Sequence, residues 1–257
     1  MGLWTAEHAK TLLPALAVMI LLGILLRLAL GKKSRKVRMI PIQILTVVLL
    51  LLEVGKQTIS LSRGYDLYHL PFHFCSLFIF VMPVMAFYKG KHAQKVQAIT
   101  AAICTSVFML MMIYPSLIYS AWDIAHFFEE YMAMHTVVFH NIVVLLFILL
   151  LSLDLYIPQR KSEQKALIGF TLVFCVISAS MAHLLSTNYN NFYQCNVPIL
   201  ETLRQTVAGS IGAAPAQVLY VLIVTVVDIG FVLMAYWTYR GIRRLIAGRA
   251  TSTVSGS

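Results

Sequence analysis

Charge is scarce in this sequence. Of its 257 residues, 12% are Asp, Glu, Lys or Arg, about half the roughly 25% of a soluble domain. So few charges cannot cover a folded surface with polar groups, which excludes a soluble catalytic domain. Disorder and a collagen-like chain are excluded by the same composition. Cysteine is sparse as well. Cys75, Cys104 and Cys175 lie in apolar runs and Cys195 in a loop, a pattern of small core hydrophobes rather than a disulfide framework. No Asn-x-Ser/Thr sequon occurs. No internal repeat is visible, which weakens an inverted-repeat transporter. The first residues lack a basic region and a clean cleavage site, so the first apolar run reads as a retained helix. Gly2 is followed by Ala6 where myristoylation requires Ser or Thr.

What the sequence has in abundance is apolar length. Hydrophobic residues make up 60%, and the mean hydropathy is +0.81. Seven spans stand out, at 11–30, 39–61, 67–88, 96–119, 131–156, 166–187 and 216–239. Each satisfies the requirement of about 20 apolar residues for a membrane helix. The expected fold is all-α: one polytopic domain of seven transmembrane helices over residues 1–245, with a short flexible tail at 246–257. Fifteen of the 20 Lys and Arg fall on one side: Lys32, Lys33, Arg35, Lys36 and Arg38; Lys89, Lys91 and Lys95; Arg160, Lys161 and Lys165; and Arg240, Arg243, Arg244 and Arg249. By the positive-inside rule the N-terminus is outside and the C-terminus cytoplasmic. The net charge of +10 is thereby explained by membrane anchoring against anionic headgroups rather than by nucleic acid.

Polar residues inside these spans are costly and tend to face the bundle interior. At 1.5 Å per residue from the outer end of each span, Lys56 and His73 lie about 8–9 Å deep, Glu53 about 12 Å, His135 and His183 about 6 Å and His140 about 14 Å. Asp228 lies near the midplane. The inner half is nearly bare, so the pattern predicts a polar cavity opening outward or sideways into the outer leaflet. Glu53 and Lys56, three residues apart on one helix face, are placed to pair. The last span holds no lysine, which excludes a retinal Schiff base there. If span three is a regular helix, Pro71 suits its first turn. His69, His73 and Ser76 then share a side, and Cys75 points about 200° away from His73. No span offers a clean pair of histidines for a metal. The long connection at 188–215 reads either as a packed outer cap or as a lid or re-entrant element over the cavity.

Several segments taken in order resemble the transmembrane protein 164 / YwaF family of integral membrane proteins. They are Glu53-Val-Gly-Lys56, Leu70-Pro-Phe-His-Phe-Cys75, Tyr114-Pro115, Tyr131-Met-Ala-Met-His135 and Asn188-Tyr-Asn-Asn-Phe-Tyr-Gln-Cys195. The Leu-Pro-x-His-x-Cys form looks like the bacterial, YwaF-like branch and so implies a bacterial plasma membrane. The resemblance implies a seven-helix fold. It also implies acyl transfer on glycerophospholipids, as in animal members that act on ether lipids. The animal pattern places a reactive cysteine directly before the span-three histidine. Here His73 matches, and Phe72 stands in the cysteine position.

The leading expectation is therefore a lipid-active membrane enzyme. His73 acts as general base or acid, and His135 as its partner or as oxyanion stabiliser. Glu53, Lys56, His140, His183, Asn188 and Asn191 serve the substrate. Without a cysteine at 72, direct activation of a substrate hydroxyl is preferable to a covalent route. No cofactor, metal or nucleic acid is expected; the partners are membrane lipids and a lipid or small-molecule substrate, with the oligomeric state left open. The alternative is a binding or transport protein for a small anionic or amphipathic solute, with Lys56 meeting its charge. A structural role, in which the polar groups merely staple helices, is the third.

Overall fold

The computed structural model describes residues 4–159 and 161–254, with side chains described through Ala247. Gly2 and Arg160, the side chain of Arg249 and residues 255–257 of the expected tail lie outside the described residues. Among the described residues the fold is helical, without strands.

Six helices are long and apolar enough to cross a membrane. They are α1 (Ala6–Leu30), α2 (Ile40–Ser62, preceded by a helical turn at Arg35–Arg38), α4 (Ala93–Ile113), α5 (Tyr131–Ser152), α6 (Lys161–Leu184) and α8 (Ala213–Val254). The shorter α3 (Leu77–Phe87) and α7 (Pro198–Ile211) lie between them. α8 continues through Val254, so it reaches well into the region expected as a tail.

α4 is the central pillar. Its buried face is built of small and hydroxylated residues, Ala98, Thr100, Ala101, Ala102, Thr105 and Ser106, which let neighbouring backbones approach closely. The hydroxyls of Thr100, Thr105 and Ser106 donate to the carbonyls of Val96, Ala101 and Ala102, so no donor is left bare in the apolar core. Helices α3, α5, α6 and α8 pack around it. α1 lies outermost. It buries the stripe His8, Leu12, Met19 and Gly23 and exposes Leu21, Leu25 and Leu28 on its other side, as a helix facing lipid does. A β-carbon on Gly23 would come within 2.6 Å of Ile148 Cγ2, so glycine there permits the close approach of α1 to α5.

The basic end is knitted by arginines. The C-terminal end of α5 presents orphan carbonyls, and Arg38, Arg35 and Arg243 donate to Leu153 O, Leu155 O and Leu151 O. Arg27 and Arg243 both pair with Asp154. Beside them Glu163, fully buried, accepts from Tyr156 Oη at 2.7 Å, Tyr236 Oη at 2.9 Å and Gln94 Nε2 at 3.0 Å. The half of the bundle at the basic end is therefore less bare than its apolar spans suggest, because α6 begins five residues earlier than expected and carries Glu163 into the core.

The largest departure concerns the third span. A helix was expected over 67–88; the chain instead makes two 3-10 turns, Leu67–His69 and Phe74–Ser76, before α3 begins. Pro71 is the cause. The residue before a proline is driven out of the α region, and Leu70 is extended at φ −62°, ψ 146°. His73 is extended too, at φ −83°, ψ 153°. The 11 residues of α3 rise about 16 Å, short of a hydrocarbon core of about 30 Å.

Candidate functional site

Two non-helical segments meet in the half of the bundle opposite the basic end. The first is 67–76. The second is the connection between α6 and α7, where Ser186, Asn190 and Asn191 all adopt left-handed backbone (φ 49°, 48° and 61°). Asparagine tolerates this region better than most residues, so the asparagines of 188–191 let the chain turn back on itself. Asn188 locks the turn. Its Oδ1 accepts from the amides of Tyr193 and Gln194 at 3.2 and 3.1 Å, and its Nδ2 donates to Asn196 Oδ1 at 3.0 Å. Tyr189 and Phe192 are buried beneath it.

The turn reaches far along the bundle. His183 Nε2 and Gln217 Nε2 are 2.9 Å apart near the start of α8. Asn190 meets Asp228 at 2.6 Å, 15 residues along α8 and so about 22 Å from its start. Irregular backbone at such depth is tolerated where protein buries it or where it lines a cavity; here both apply. α7 then runs back beside α8. Arg204 on α7 bonds Glu201 at 2.5 and 2.8 Å and Gln217 at 2.7 Å. The connection at 188–215 is thus a re-entrant turn followed by a helix, rather than a flat outer cap.

The two segments are tied together. Tyr189 Oη donates to Leu67 O, Ser178 Oγ donates to Phe72 O at 2.8 Å, and the Tyr189 ring stands edge-on to Phe72 and His73, both at 5.3 Å between centroids. Between them lies a cavity of about 370 Å³ lined by Tyr68, His73, Cys75, Asn188, Asn190, Asn191 and Asp228 among others. His73 Nε2 lies 3.0 Å from Tyr68 O. A carbonyl only accepts, so Nε2 carries a proton, and in the neutral ring Nδ1 keeps its lone pair. A second cavity, about 380 Å³, runs between α7 and α8 along Leu203, Val207, Leu219, Ile223 and Val224. Asn190, Asn191, Val227 and Asp228 line both. A chamber of mixed lining, with Phe74, Leu110, Leu117 and Phe231 beside its polar groups, thus adjoins an apolar groove across the Asn190–Asp228 bond.

Of the expected site residues, His73, Asn188 and Asn191 line this chamber. His183 lines a separate, more open cavity of about 560 Å³ with Gln217. Glu53, Lys56, His135 and His140 line none of these three cavities. They form a second cluster between α2 and α5, in which Glu53 accepts from Gln57 at 2.7 Å and pairs with Lys56 at 2.7 Å. His135 Nε2 approaches Glu53 Oε2 at 3.4 Å without hydrogen-bond alignment. His140 donates from Nδ1 to Thr136 O at 2.7 Å, and its Nε2 is buried with no partner among the described residues. No hydrogen bond joins His73 to His135 among the described residues. The clusters communicate through backbone instead: Gln57 Nε2 also donates to His69 O at 2.9 Å, and Ser60 Oγ is 2.7 Å from His69 Nδ1. Glu53 thereby braces the turn whose next carbonyl, that of Tyr68, orients His73.

Residues 3–238 match the TMEM164 family. The chain belongs to that family. No curated protein and no solved structure matches it. Its apolar helices make this TMEM164-family chain a multi-pass membrane protein.

Within this TMEM164-family fold, sequence reasoning left out three cavity residues. A regular helix would turn Cys75 away from His73, and that geometry does not hold. Position 73 is extended and 74–76 a 3-10 turn, and Cys75 lines the same chamber as His73. Pro71 was the available signal, once given its effect on Leu70 instead of a first-turn role. Asp228 was visible as the deepest acid but had no named partner. Asn190 lies between Asn188 and Asn191, and its bond to Asp228 is what distinguishes it. Among the described residues no three His, Cys, Asp or Glu side chains converge as metal ligands.

Proposed function

We propose that this protein is a lipid-active enzyme of a bacterial plasma membrane, transferring an acyl group between glycerophospholipids in the chamber beside His73. The observation that carries this reading is the joined cavity. A chamber of mixed polar and apolar lining holds a histidine with a free ring nitrogen and a thiol, and it adjoins an apolar groove of the character an acyl chain requires. In the proposed step, the hydroxyl of a lysolipid attacks the ester carbonyl of a donor lipid. His73 Nδ1 takes the hydroxyl proton, the ester C–O bond of the donor breaks, and the departing alkoxide recovers that proton. The products are an acylated acceptor and a lysolipid. Glu53 and His135 act as positioning residues through the His69 turn, with Lys56 neutralising Glu53 rather than meeting substrate. Asn188 and Asn191 shape the chamber, and His183 with Gln217 lies outside it, in a cavity of its own.

The proposed topology has seven crossings, N-terminus outside and C-terminus cytoplasmic. Segment 67–87 serves as the seventh, since its extended residues advance about 3.3 Å each and add to the rise of α3. The location of fifteen of 20 Lys and Arg at one end supports the orientation.

Purified protein reconstituted with mixed phospholipids, one species isotopically labelled in its acyl chain, tests the reading by mass spectrometry of chain exchange. Exchange is expected for the wild type and its loss for His73→Ala. Exchange unchanged in His73→Ala removes that residue from the mechanism. Lipid-dependent thermal stabilisation with no exchange replaces the enzyme with a binding protein. Cys75→Ser separates the two routes: direct transfer survives it, whereas a route through an acyl-thioester does not.

A further inference from the structure

The arginines of the basic end differ in one respect. Arg27 and Arg243 share the carboxylate of Asp154, and Arg38 is bound to a helix-terminal carbonyl. Arg35, Lys36 and Lys89 form no ion pair among the described residues. All three line one cavity of about 580 Å³, between the Arg35–Arg38 turn, the start of α2 and the end of α3. Arg35 uses one terminal nitrogen on Leu155 O at 3.2 Å and has no other hydrogen-bond partner among the described residues. No carboxylate lines the cavity. Its remaining polar lining, Gln43, Tyr88 and Gln97, is uncharged, with Gln43 Nε2 already donating to Ala86 O at 3.1 Å, and Met39, Ile40 and Met85 supply an apolar wall. Directly beyond that wall the surfaces of α2 and α3 expose Ile44, Val84 and Phe87, a flank suited to acyl chains.

Three unneutralised cations around one concavity repel each other, and an anion seated among them removes that cost. A cation cluster above an apolar flank at the membrane-interface end of two helices matches a phosphate attached to hydrocarbon. We infer that this cavity is a binding site for the phosphate of an anionic phospholipid headgroup, with the acyl chains lying along α2 and α3. It is separate from the chamber beside His73 and does not rest on the acyl-transfer reading.

The test is a binding titration of the full-length protein in detergent by native mass spectrometry, with phosphatidylglycerol, phosphatidylcholine and inorganic phosphate as probes. Phosphatidylglycerol is expected to bind more tightly than phosphatidylcholine. The variant Arg35→Gln/Lys36→Gln/Lys89→Gln is expected to weaken phosphatidylglycerol on the order of a hundredfold, from roughly a fivefold loss per cation. The control Lys32→Gln/Lys33→Gln/Lys91→Gln removes the same charge from residues that do not line the cavity and is expected to leave binding unchanged. Equal loss in control and cavity variants overturns the site in favour of diffuse surface charge. Undiminished binding in the cavity variant overturns it outright, and inorganic phosphate binding as tightly as the lipid overturns the headgroup assignment. Should the triple variant not fold, Lys36→Gln and Lys89→Gln, both at exposed positions, are each expected to weaken the lipid about fivefold, and no weakening in either overturns the site.

Discussion

Asn190 Nδ2 donates to Asp228 Oδ2 at 2.6 Å, and Cys175 Sγ lies 3.7 Å from the same oxygen. This contact fastens the re-entrant turn to α8 and forms the wall shared by the chamber and the apolar groove. Two properties of Asn190 are separable by substitution. Its amide supplies the hydrogen bond, and its backbone sits at φ 48°. Asn190→Gly removes the bond and keeps the backbone unstrained, costing about 1 kcal/mol for a half-buried carboxylate that loses a donor. Asn190→Ala adds the left-handed cost of about 1–2 kcal/mol. Thermal unfolding in lipid nanodiscs is expected to rank wild type above Gly and Gly above Ala. Equal melting temperatures for Gly and Ala would show that the backbone conformation carries no cost.

Gly55 is the point where α2 meets α5. A β-carbon there would overlap Tyr131 Oη, whose hydroxyl donates to Leu52 O at 2.8 Å. Gly55→Ala is expected to destabilise by about 1–3 kcal/mol, as overpacking does. Tyr131→Phe removes the nearer clashing atom and leaves only Cζ, at 2.7 Å, so Gly55→Ala/Tyr131→Phe is expected to lose less than the sum of the single variants. Strict additivity in the melting temperatures would place the cost elsewhere.

The apolar spans were legible because membrane burial demands long uninterrupted runs, and α1, α2 and α4 to α6 begin or end within a few residues of the sequence reading. The Glu53–Lys56 pair was legible because helical spacing alone fixes it. The site was less so, for one physical reason: its residues sit where the chain leaves regular structure. Helical angles misdirected Cys75, because position 73 is extended. His73 and His135 share a depth and not a cavity. Nothing local in the sequence indicates that Asn190 descends to Asp228, because that contact joins residues 38 apart in sequence through a turn whose dihedrals are set by tertiary packing. The helix Pro198–Ile211 was also unread, its apolar residues being interleaved with Glu201, Arg204 and Gln205.

The Glu53–Lys56 pair lies in a span, its side chains 9% and 12% exposed. Removing one member leaves the other charge buried without compensation, at about 3–5 kcal/mol. Lys56→Met and Glu53→Leu are each expected to lower stability by that order. Lys56→Met is expected to be the milder, since Gln57 still donates to Glu53. The double variant is expected to recover much of the loss, because a well-packed apolar pair replaces an ion pair at little net cost. A double variant as unstable as the sum of the two would mean that His135 and Gln57 depend on the carboxylate for their own placement.

Asp154, just beyond the C-terminal end of α5, couples the basic end to pH. Burial pushes its carboxyl up, but hydrogen bonds and charge from Arg243 and Arg27 outweigh burial and hold it below its ordinary value. A depressed carboxylate stabilises the folded state above its unfolded pKa of about 3.9, and that contribution is lost as pH falls through the lower folded value. Other carboxylates titrate in the same window, so the informative quantity is the difference between wild type and Asp154→Asn. Their melting temperatures are expected to differ by a constant amount between about pH 8 and pH 5. The gap should then close below about pH 4, as wild-type Asp154 takes up a proton and releases both arginines. A gap that persists unchanged to pH 3 would mean that Asp154 acts through the shape of its left-handed turn (φ 50°) and not through its charge.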